Sequence, residues 1–418
     1  MANVNMNIHS SKDVSFQVGY FKKGEDVQNA GVGTKFKNWL AGTSFGKNIL
    51  KMDPPKCMCV RDANTGRHIA TDITTARFGN FVKVDLSGNQ PSKVRNYTPP
   101  PSTKGLSLED RGSGPTNVDK VHGRVKNDQE LQTAKKEIAE GFGKEFWNRD
   151  QMTVALYGMM TRRDDKGGPE ICPFVVGFDP QNPKTSEFGK MLDGLKQSIK
   201  SGEIEEGQRF QVAVQDGAHW TAIDAKIING EPHFFVMDAA QSPTVSGLTE
   251  EITQAFPKCT IYEFNDKDVK QLQFDDNSCS RFTLDHLSVM SKDDQLFERL
   301  GQNQNQFRNI DKSGGKDFMV SSNNLPAGVF RMLQSHSTLD KVSDEIKDGV
   351  SSPTKQKTSY QQALSHTVVD FDKGKIMNTM VDAKKDSFAQ KSTDFLDGLT
   401  MDQFNHMMTV RKGEGVLF

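Results

Sequence analysis

The sequence predicts an α+β fold with a largely antiparallel or mixed sheet, and three observations favour it. Apolar residues recur at helical spacing from Asp128 to Met160. Segments of strand character follow between residues 171 and 239, and the turn residues Asn229-Gly230 separate the last two. A helix at 248–256 and a strand at 260–264 complete the order: helices, a meander of strands, then a further helix.

Five segments justify this reading in chain order. The apolar run ICPFVVGF at 171–178 is bounded by turn residues, as a buried strand would be. Residues 186–202 form an amphipathic pattern that ends at Gly202, a residue type favoured just past a helix. Residues 208–216, 219–228 and 232–239 then read as three strands. These three strands therefore follow the helix at 186–202 directly.

Composition excludes several classes of function. The 418 residues carry 53 basic and 54 acidic side chains, so the balance of charge gives no support to nucleic-acid or polybasic membrane binding. The five cysteines are an odd, sparse set, which favours a reducing compartment over a disulfide framework. Cys57 and Cys59 lie too close for a zinc knuckle, so no metal site is expected. No apolar run is long enough to span a bilayer.

The chain is predicted to divide near residue 125. Pro, Gly and Ser dominate residues 88–125, as in a linker. Before it lie a polar leader and a weak β module in which CMCVRD, HIATDI and FVKVDL read as strands. We therefore expect a largely disordered region at 1–125, a core at 126–317 and a further region at 318–418.

The Asn229-Gly230 turn predicts a pair of side chains. A two-residue turn places Thr221 opposite Asp238, so His219 lies diagonally from Asp238 on the same face of the sheet. Backbones in that relation are about 7–8 Å apart, which the two side chains can span with a hydrogen bond. A His oriented by a carboxylate is a general base that needs a proton donor.

Cys279 is the best candidate for that donor. Asn277 or Ser278 can cap a helix that begins beside it, and the positive end of a helix dipole favours the nucleophilic thiolate. Gln273, six positions earlier, can donate to the oxyanion of a tetrahedral intermediate together with the Cys279 backbone N–H. Each residue alone is more often structural, and only their combination favours catalysis. Cys172, inside an apolar run, is interpreted as a core residue.

These residues resemble the ubiquitin-like-protease (clan CE) cysteine enzymes, and most of all the YopJ family of bacterial type III effectors. That family carries a His strand, an xNGx hairpin, a Glu or Asp and a Q-x5-C segment that runs into a helix. Here these are HWTAIDAKIINGEPHFFVMDAA and QFDDNSCSRFTLDHL. LPAGVFRMLQS at 325–335 is similar to the family segment LP-x3-[FY]-KH-x-Q-S.

The resemblance implies a clan CE core and an acetyltransferase with a Cys-His-Asp triad. Acetyl-CoA would acylate Cys279, and His219, held by Asp238, would deprotonate a Ser, Thr or Lys of a host signalling protein. Gln273 would line the oxyanion hole. The protein would be secreted into the host cell as a virulence effector, with a secretion chaperone as a possible partner of its N-terminus. Inositol hexakisphosphate would activate it through a regulatory domain built from residues 128–165 and 320–418.

Basic residues near these segments are the candidates for the polyanion. They are Arg162, Arg163, Lys355, Lys357, Lys384 and Lys385, each of which is more often part of a solvated face. Two positions depart from the family pattern. Ser280 follows the nucleophile where Gly is frequent, and Arg331-Met332 replaces Lys-His. Arg cannot accept an acetyl group here, but Arg331 can still bind the phosphates of CoA or of inositol hexakisphosphate.

Two alternatives stay open. A ubiquitin- or SUMO-specific protease would use the same acyl-enzyme chemistry, and His219-Trp220 is similar to that branch of the clan. A non-catalytic effector would instead bind a host protein through residues 1–125 or through the C-terminal segment. Labelling with acetyl-CoA and with ubiquitin and SUMO probes distinguishes the three.

Overall fold

The computed structural model describes a continuous core and several short segments. The described residues are 7–11, 14–21, 40, 48–51, 57–62, 68–70, 81–84, 95–97, 121–144, 146–264, 271–273, 277–310, 316–334, 367–370, 375–378 and 380–411. Most of the predicted linker at 88–125 lies outside the described residues. Lys355 and Lys357 lie outside them as well.

The described helices and strands follow in chain order. The strands are β1 (Asn7–Ser11), β2 (Val14–Phe21), β3 (Cys57–Asp62), β4 (His68–Ala70), β5 (Phe81–Val84), β6 (Arg95–Tyr97), β7 (Pro173–Gly177), β8 (Arg209–Asp216), β9 (His219–Ile228), β10 (Glu231–Met237), β11 (Thr260–Phe264), β12 (Arg308–Asn309), β13 (Lys316–Val320), β14 (Thr367–Asp370) and β15 (Lys375–Asn378). The helices are α1 (Asp128–Phe142), α2 (Arg149–Asp164), α3 (Glu187–Ser201), α4 (Thr244–Ala255), α5 (Cys279–Met290), α6 (Leu296–Gln302), α7 (Met380–Gly398) and α8 (Met401–Val410).

The larger unit, Thr103–Val329 with Val381–Phe418, is built on a mixed sheet. Its strand order is β12-β13-β11-β10-β9-β8-β7. The centre, β8-β9-β10, is antiparallel, whereas β7 joins β8 and β11 joins both β10 and β13 in parallel. The predicted α+β fold with a mixed sheet is confirmed.

Helices α3 and α4 cover one face of this sheet. Phe188, Leu192 and Leu195 of α3 share an apolar core with Leu248 and Ile252 of α4, and each of these side chains is essentially inaccessible to water. The strands contribute alternate residues to the same core, as the two-residue period of a strand requires. Full burial of such side chains stabilises the fold by about 1.5–3 kcal/mol each.

Helix α5 lies against the opposite face. Arg209 on β8 and Asp224 on β9 alternate with the core residues of their strands, so they face away from α3 and α4. Arg209 forms a bidentate pair with Asp224 at 2.9 and 2.6 Å and donates to the carbonyls of Met290 and Asp293. The charged pair therefore attaches the C-terminal end of α5 to the sheet.

Helix α3 has the ends that its sequence predicts. The hydroxyl of Ser186 accepts from the N–H of Gly189, and Gly202 ends the helix in the left-handed region at φ 76°. The helical pattern from Asp128 to Met160 is instead two helices. It breaks between Gly143 and Asn148, where Asn148 forms a capping box with Gln151 and starts α2.

The second unit comprises Met1–Ser102 and Phe330–Met380. Its described residues form two antiparallel four-stranded sheets, ordered β1-β2-β3-β4 and β15-β14-β5-β6. The segments CMCVRD, HIATDI and FVKVDL contribute β3, β4 and β5, as predicted. Strands β1 and β2 fall in the leader, where the sequence shows no sustained period. The domain boundaries at 125 and 317 stay a prediction.

Candidate active site

His219 is the first residue of β9, a strand with a tight turn at each end. Asn229 and Gly230 have φ values of 55° and 73°, and Ile228 pairs with Glu231, which confirms the predicted two-residue hairpin. At the other end Asp216 pairs with His219, and Gly217 has a φ of 54° at the first position of the turn. Both turns limit the register of β9, so the position of His219 is set from each side.

Asp238 lies just past the end of β10 and faces His219. Its Oδ2 is 3.0 Å from His219 Nε2, and the two side chains are 2% and 22% exposed respectively. The diagonal relation predicted from the Asn229-Gly230 turn therefore closes to a hydrogen bond. The nitrogen that remains for a proton donor is His219 Nδ1.

Further donors surround the Asp238 carboxylate. Oδ2 also accepts from the backbone N–H of Ser242 at 2.8 Å and from its hydroxyl at 2.6 Å, and Oδ1 accepts from the N–H of Ala240 at 2.9 Å. Burial raises the pKa of Asp238, but the charge of His219, its hydrogen bond and the two hydrogen bonds from Ser242 outweigh it and lower that pKa to about 2. Asp238 therefore stays ionised beside His219.

The same pair changes His219. Burial lowers the pKa of this imidazole, whereas the charge of Asp238, its hydrogen bond and the hydrogen bond with Cys279 raise it. The raising effects win, and the pKa of His219 lies well above its ordinary value of 6.5. The ring is thus suited to take a proton from a thiol and to keep it.

Cys279 is the first residue of α5 and is almost fully buried. Its sulfur lies 3.5 Å from the carbonyl oxygen of Ala218, the residue before His219. Ser278 takes the N-cap position, as predicted, but its side chain makes no capping hydrogen bond. The structure therefore brings the predicted Cys279, His219 and Asp238 to one place.

Gln273 lies beside the same strand end. The backbone N–H groups of Leu272 and Gln273 both donate to the carbonyl of Ala239, at 2.7 and 2.9 Å. Gln273 is buried, and these two hydrogen bonds hold it against Ala239, the residue that follows Asp238. Residues 274–276 lie outside the described part of the chain, and the oxyanion role of Gln273 stays a prediction.

Ser280 has a use that the resemblance does not predict. It is buried, and its hydroxyl accepts from the guanidinium of Arg281 at 3.2 Å. A Gly at this position would lack that acceptor. The departure from the family pattern therefore accompanies a buried Arg two residues after the candidate nucleophile.

The candidate basic residues separate into groups. Arg163 is buried, and it donates to the carbonyl of Ser288 at 2.7 Å and to the hydroxyl of Ser291 at 2.8 Å, so the expectation of a solvated face is wrong for it. Burial lowers the pKa of Arg163 to about 10. Arg162 donates to the carbonyl of Lys391 at 3.1 Å. Arg331 is half-buried after the short helix Ala327–Phe330, and its ligand role stays a prediction.

Sequence reasoning missed Ser242 and Arg281. The spacing of Asp238, Ala240 and Ser242 is a signal for the first, because Asp side chains accept from backbone groups two residues on. Arg281 carries no such local signal, since its acceptors include the distant Lys144 carbonyl.

This arrangement has the parts of nucleophilic catalysis. A thiol, a base within reach of it and a carboxylate that orients the base form an activated nucleophile. In the part of the chain that the structure describes, no group of three or more His, Cys, Asp or Glu residues can hold a metal ion. No described helix has the length and apolar character needed to cross a membrane.

This chain is similar to one protein family and to several solved structures. The family model for YopJ Serine/Threonine acetyltransferase matches residues 181–391, half of the chain. Among solved structures, AvrA delL154 with IP6 and CoA is 15% identical with a TM-score of 0.43, covering 64% of this chain and 99% of that one. HopZ1a with IP6 is 11% identical with a TM-score of 0.37, covering 65% and 98%, and HopZ1a with IP6 and CoA is 10% identical with a TM-score of 0.42, covering 65% and 93%. Curated protein sequences give no match.

Proposed function

This chain belongs to the YopJ serine/threonine acetyltransferase family, and we propose that it transfers an acetyl group from acetyl-CoA to host proteins through a thioester on Cys279. The observation that carries this mechanism is the convergence of Cys279, His219 and Asp238. His219 Nε2 lies 3.0 Å from Asp238, and its hydrogen bond with Cys279 raises the pKa of the imidazole. The acceptors are Ser, Thr or Lys side chains.

The first half of the reaction acylates Cys279. His219 takes the thiol proton, and the sulfur attacks the acetyl carbonyl. The bond from that carbon to Cys279 forms as its bond to the CoA sulfur breaks, and the imidazolium returns its proton to the departing thiol. Asp238 stabilises the imidazolium and holds the ring with Nε2 toward its carboxylate.

The second half passes the acetyl group on. His219 takes a proton from the acceptor hydroxyl or amine as that group attacks the thioester, and Cys279 leaves as a thiolate. Both halves pass through an oxyanion. The N–H groups at the start of α5 have no intrahelical acceptor, and with the Gln273 side chain they are the proposed donors to that oxygen.

Activation by inositol hexakisphosphate belongs to the same proposal. It is an expectation from the family, with a regulatory region formed by residues 128–165 and 320–418 and a catalytic core within 126–317. Arg163 donates to α5 and is therefore a poor candidate for the polyanion. Lys384, Lys385 and Arg331 are retained as candidate phosphate ligands.

The cellular setting is proposed on the same basis. YopJ-family effectors are delivered into host cells, and we place this chain there as an enzyme that modifies signalling or immune proteins. Residues 1–125 are the proposed leader and chaperone-binding region. The proposed substrates are kinases or immune regulators.

A transfer assay tests the function. The full chain is incubated with labelled acetyl-CoA, with and without inositol hexakisphosphate, and separately with ubiquitin and SUMO activity probes. We expect label on Cys279 that is stable until an acceptor protein is added. Cys279→Ala should lose the label, whereas Cys172→Ala is the matched control, because burial raises the pKa of the Cys172 thiol to about 11.

The alternatives give other results. Probe adducts on Cys279 without acetyl label would establish the protease alternative and refute acetyl transfer. Absence of both signals, with an unchanged cellular effect in Cys279→Ala, would establish a binding effector.

A further inference from the structure

Trp147 lies between the segment that carries Cys279 and the strand that carries His219. Its ring supports the guanidinium of Arg281, whose central carbon is 4.7 Å from the ring centroid. Its backbone carbonyl accepts from the indole N–H of Trp220 at 3.0 Å. Arg281 follows Cys279 by two positions, and Trp220 follows His219 directly. One fully buried residue of the α1–α2 connection thus contacts both sides of the candidate active site.

Arg281 ties the start of α5 to that connection. Its guanidinium is buried and donates to the carbonyl of Lys144 at 2.7 Å. It also donates to the carbonyl of Asn277 at 2.9 Å, two positions before Cys279, and to the hydroxyl of Ser280 at 3.2 Å, one position after it. A planar fork with several donors suits this set of acceptors, and the single ammonium group of Lys does not.

Phe146 adds an apolar contact to the same connection. It packs with Ala218 in a small buried cluster. The carbonyl of Ala218 is the group that lies 3.5 Å from the Cys279 sulfur. Phe146 and Trp147 therefore meet residues beside Cys279 and beside His219 at once, from a segment that lies far from both in the sequence.

We infer that Arg281 and Trp147 are positioning residues that hold the Cys279 sulfur in register with the His219 imidazole. The inference rests on the proposed Cys–His chemistry. A displacement of about 1 Å between reacting groups can reduce a rate about a hundredfold, so a rigid attachment of this kind has a direct chemical effect. The α1–α2 pair thereby acts on the nucleophile, although it contributes no group to the reaction itself.

Thiol alkylation tests this independently of acetyl-CoA. The full chain is treated with iodoacetamide over a range of pH, and the Cys279 peptide is quantified by mass spectrometry. We expect Arg281→Lys and Trp147→Phe to slow alkylation at neutral pH by about tenfold or more, because the sulfur then lies out of register with the imidazole. Thermal unfolding measured in parallel shows how much each change destabilises the fold.

Arg209→Lys is the matched control. Arg209 also donates to carbonyls of α5 and also lies over an aromatic ring, with 5.4 Å to the Phe297 centroid, but at the other end of the helix. We expect this variant to lower the melting temperature and to leave the alkylation profile of Cys279 unchanged.

Three results would overturn the inference. Unchanged profiles in Arg281→Lys and Trp147→Phe, with only a lower melting temperature, would show a purely structural role. An equal change in Arg209→Lys would show general loosening of α5. A wild-type profile equal to that of a free thiol would remove the proposed Cys–His chemistry itself, and the inference with it, whatever the variants do.

Discussion

The hydroxyl of Ser242 donates to Asp238 Oδ2 at 2.6 Å, and the same oxygen lies 3.0 Å from His219 Nε2. The backbone N–H of Ser242 donates to that oxygen as well, at 2.8 Å. Ser242 therefore fixes the same carboxylate oxygen that orients the imidazole of His219. Ser242 contacts the carboxylate of Asp238, so its contribution can be tested separately from that of His219 and Cys279.

Ser242→Ala removes the hydroxyl and keeps the N–H. Since the hydrogen bonds from Ser242 help to lower the pKa of Asp238, we expect that pKa to rise toward its ordinary range. The free energy of unfolding should fall by about 1 kcal/mol, the usual net value of one hydrogen bond. Chemical denaturation and the rate of Cys279 acylation measure the two effects. Ser246→Ala, which removes an exposed hydroxyl bonded to the Pro243 carbonyl, should leave acylation unchanged.

The His219–Asp238 pair should stabilise the fold only within a window of pH. The folded pKa of Asp238 is lowered from 3.8 to about 2, so its contribution is present above 3.8 and is lost as pH falls through 2. The folded pKa of His219 is raised above 6.5, so its contribution is present below 6.5 and is lost as pH rises through the folded value. Between 3.8 and 6.5 both contributions are complete.

Unfolding free energies of wild type and His219→Gln, measured across pH, check this window. The difference in unfolding free energy between the two proteins should be largest inside this pH window and should become smaller at lower and at higher pH. His233 is the control of opposite sign, because burial, with a smaller effect of Lys316, lowers its pKa to about 4. His233→Gln should be the more stable protein at acid pH. A difference for His219→Gln that is constant with pH would contradict the pairing.

Glu263 on β11 should respond to pH in another way. Burial, then the charges of Asp317 and Asp238, raise its pKa from 4.5 to about 7. A carboxyl with a raised pKa is bound more tightly to its proton in the folded state, so stability falls as pH rises from 4.5 to 7. Glu263→Gln should therefore be more stable than wild type above that range and equal to it below. Thermal unfolding at both extremes measures the effect, and equal stability at alkaline pH would contradict it.

Among the residues of the C-terminal helices, Arg411 should be one of those that contribute most to the free energy of unfolding. Its guanidinium donates to Asp150 Oδ1 at 2.6 Å, and the two side chains are 3% and 0% exposed. Arg411→Met leaves that carboxylate without this charged partner in the interior, which costs about 3–5 kcal/mol for a buried pair. Urea denaturation measures it. Arg124→Met, which removes an exposed bond to Thr409, should cost less than about 0.5 kcal/mol.

The hairpin shows how far the sequence reaches. The two-residue turn at Asn229-Gly230 has local backbone requirements, and strand pairing then extends its register along β9 and β10. That register is enough to predict that His219 and Asp238 are diagonal neighbours on one face of the sheet. The position of Cys279 at the start of a helix followed from its local pattern in the same way.

Other parts of the site depend on contacts that no local pattern encodes. Arg281 and the Lys144 carbonyl are 137 positions apart, and a surface Arg has the same letter as a buried one. Strand β11 lies between β10 and β13 and runs parallel to both. The chain reaches each of these neighbours through a connection, so this pairing is also non-local. The break at residues 143–148 was missed because apolar spacing continues across it from α1 into α2. The same break places Trp147 at the site.

The turn at Asn229-Gly230 is also a site at which the chain can be modified spontaneously. Asn followed by Gly is prone to spontaneous deamidation, in which the Gly nitrogen attacks the Asn side-chain carbonyl and closes a succinimide ring. Here the Gly230 N–H donates to one oxygen of Glu206 at 3.0 Å, and the Asn229 N–H donates to the other at 2.8 Å. These bonds lower the pKa of Glu206, which favours its charged carboxylate. The hairpin that aligns His219 with Asp238 thus contains a pair of residues open to this reaction, and Glu206, from the loop between α3 and β8, contacts both of them.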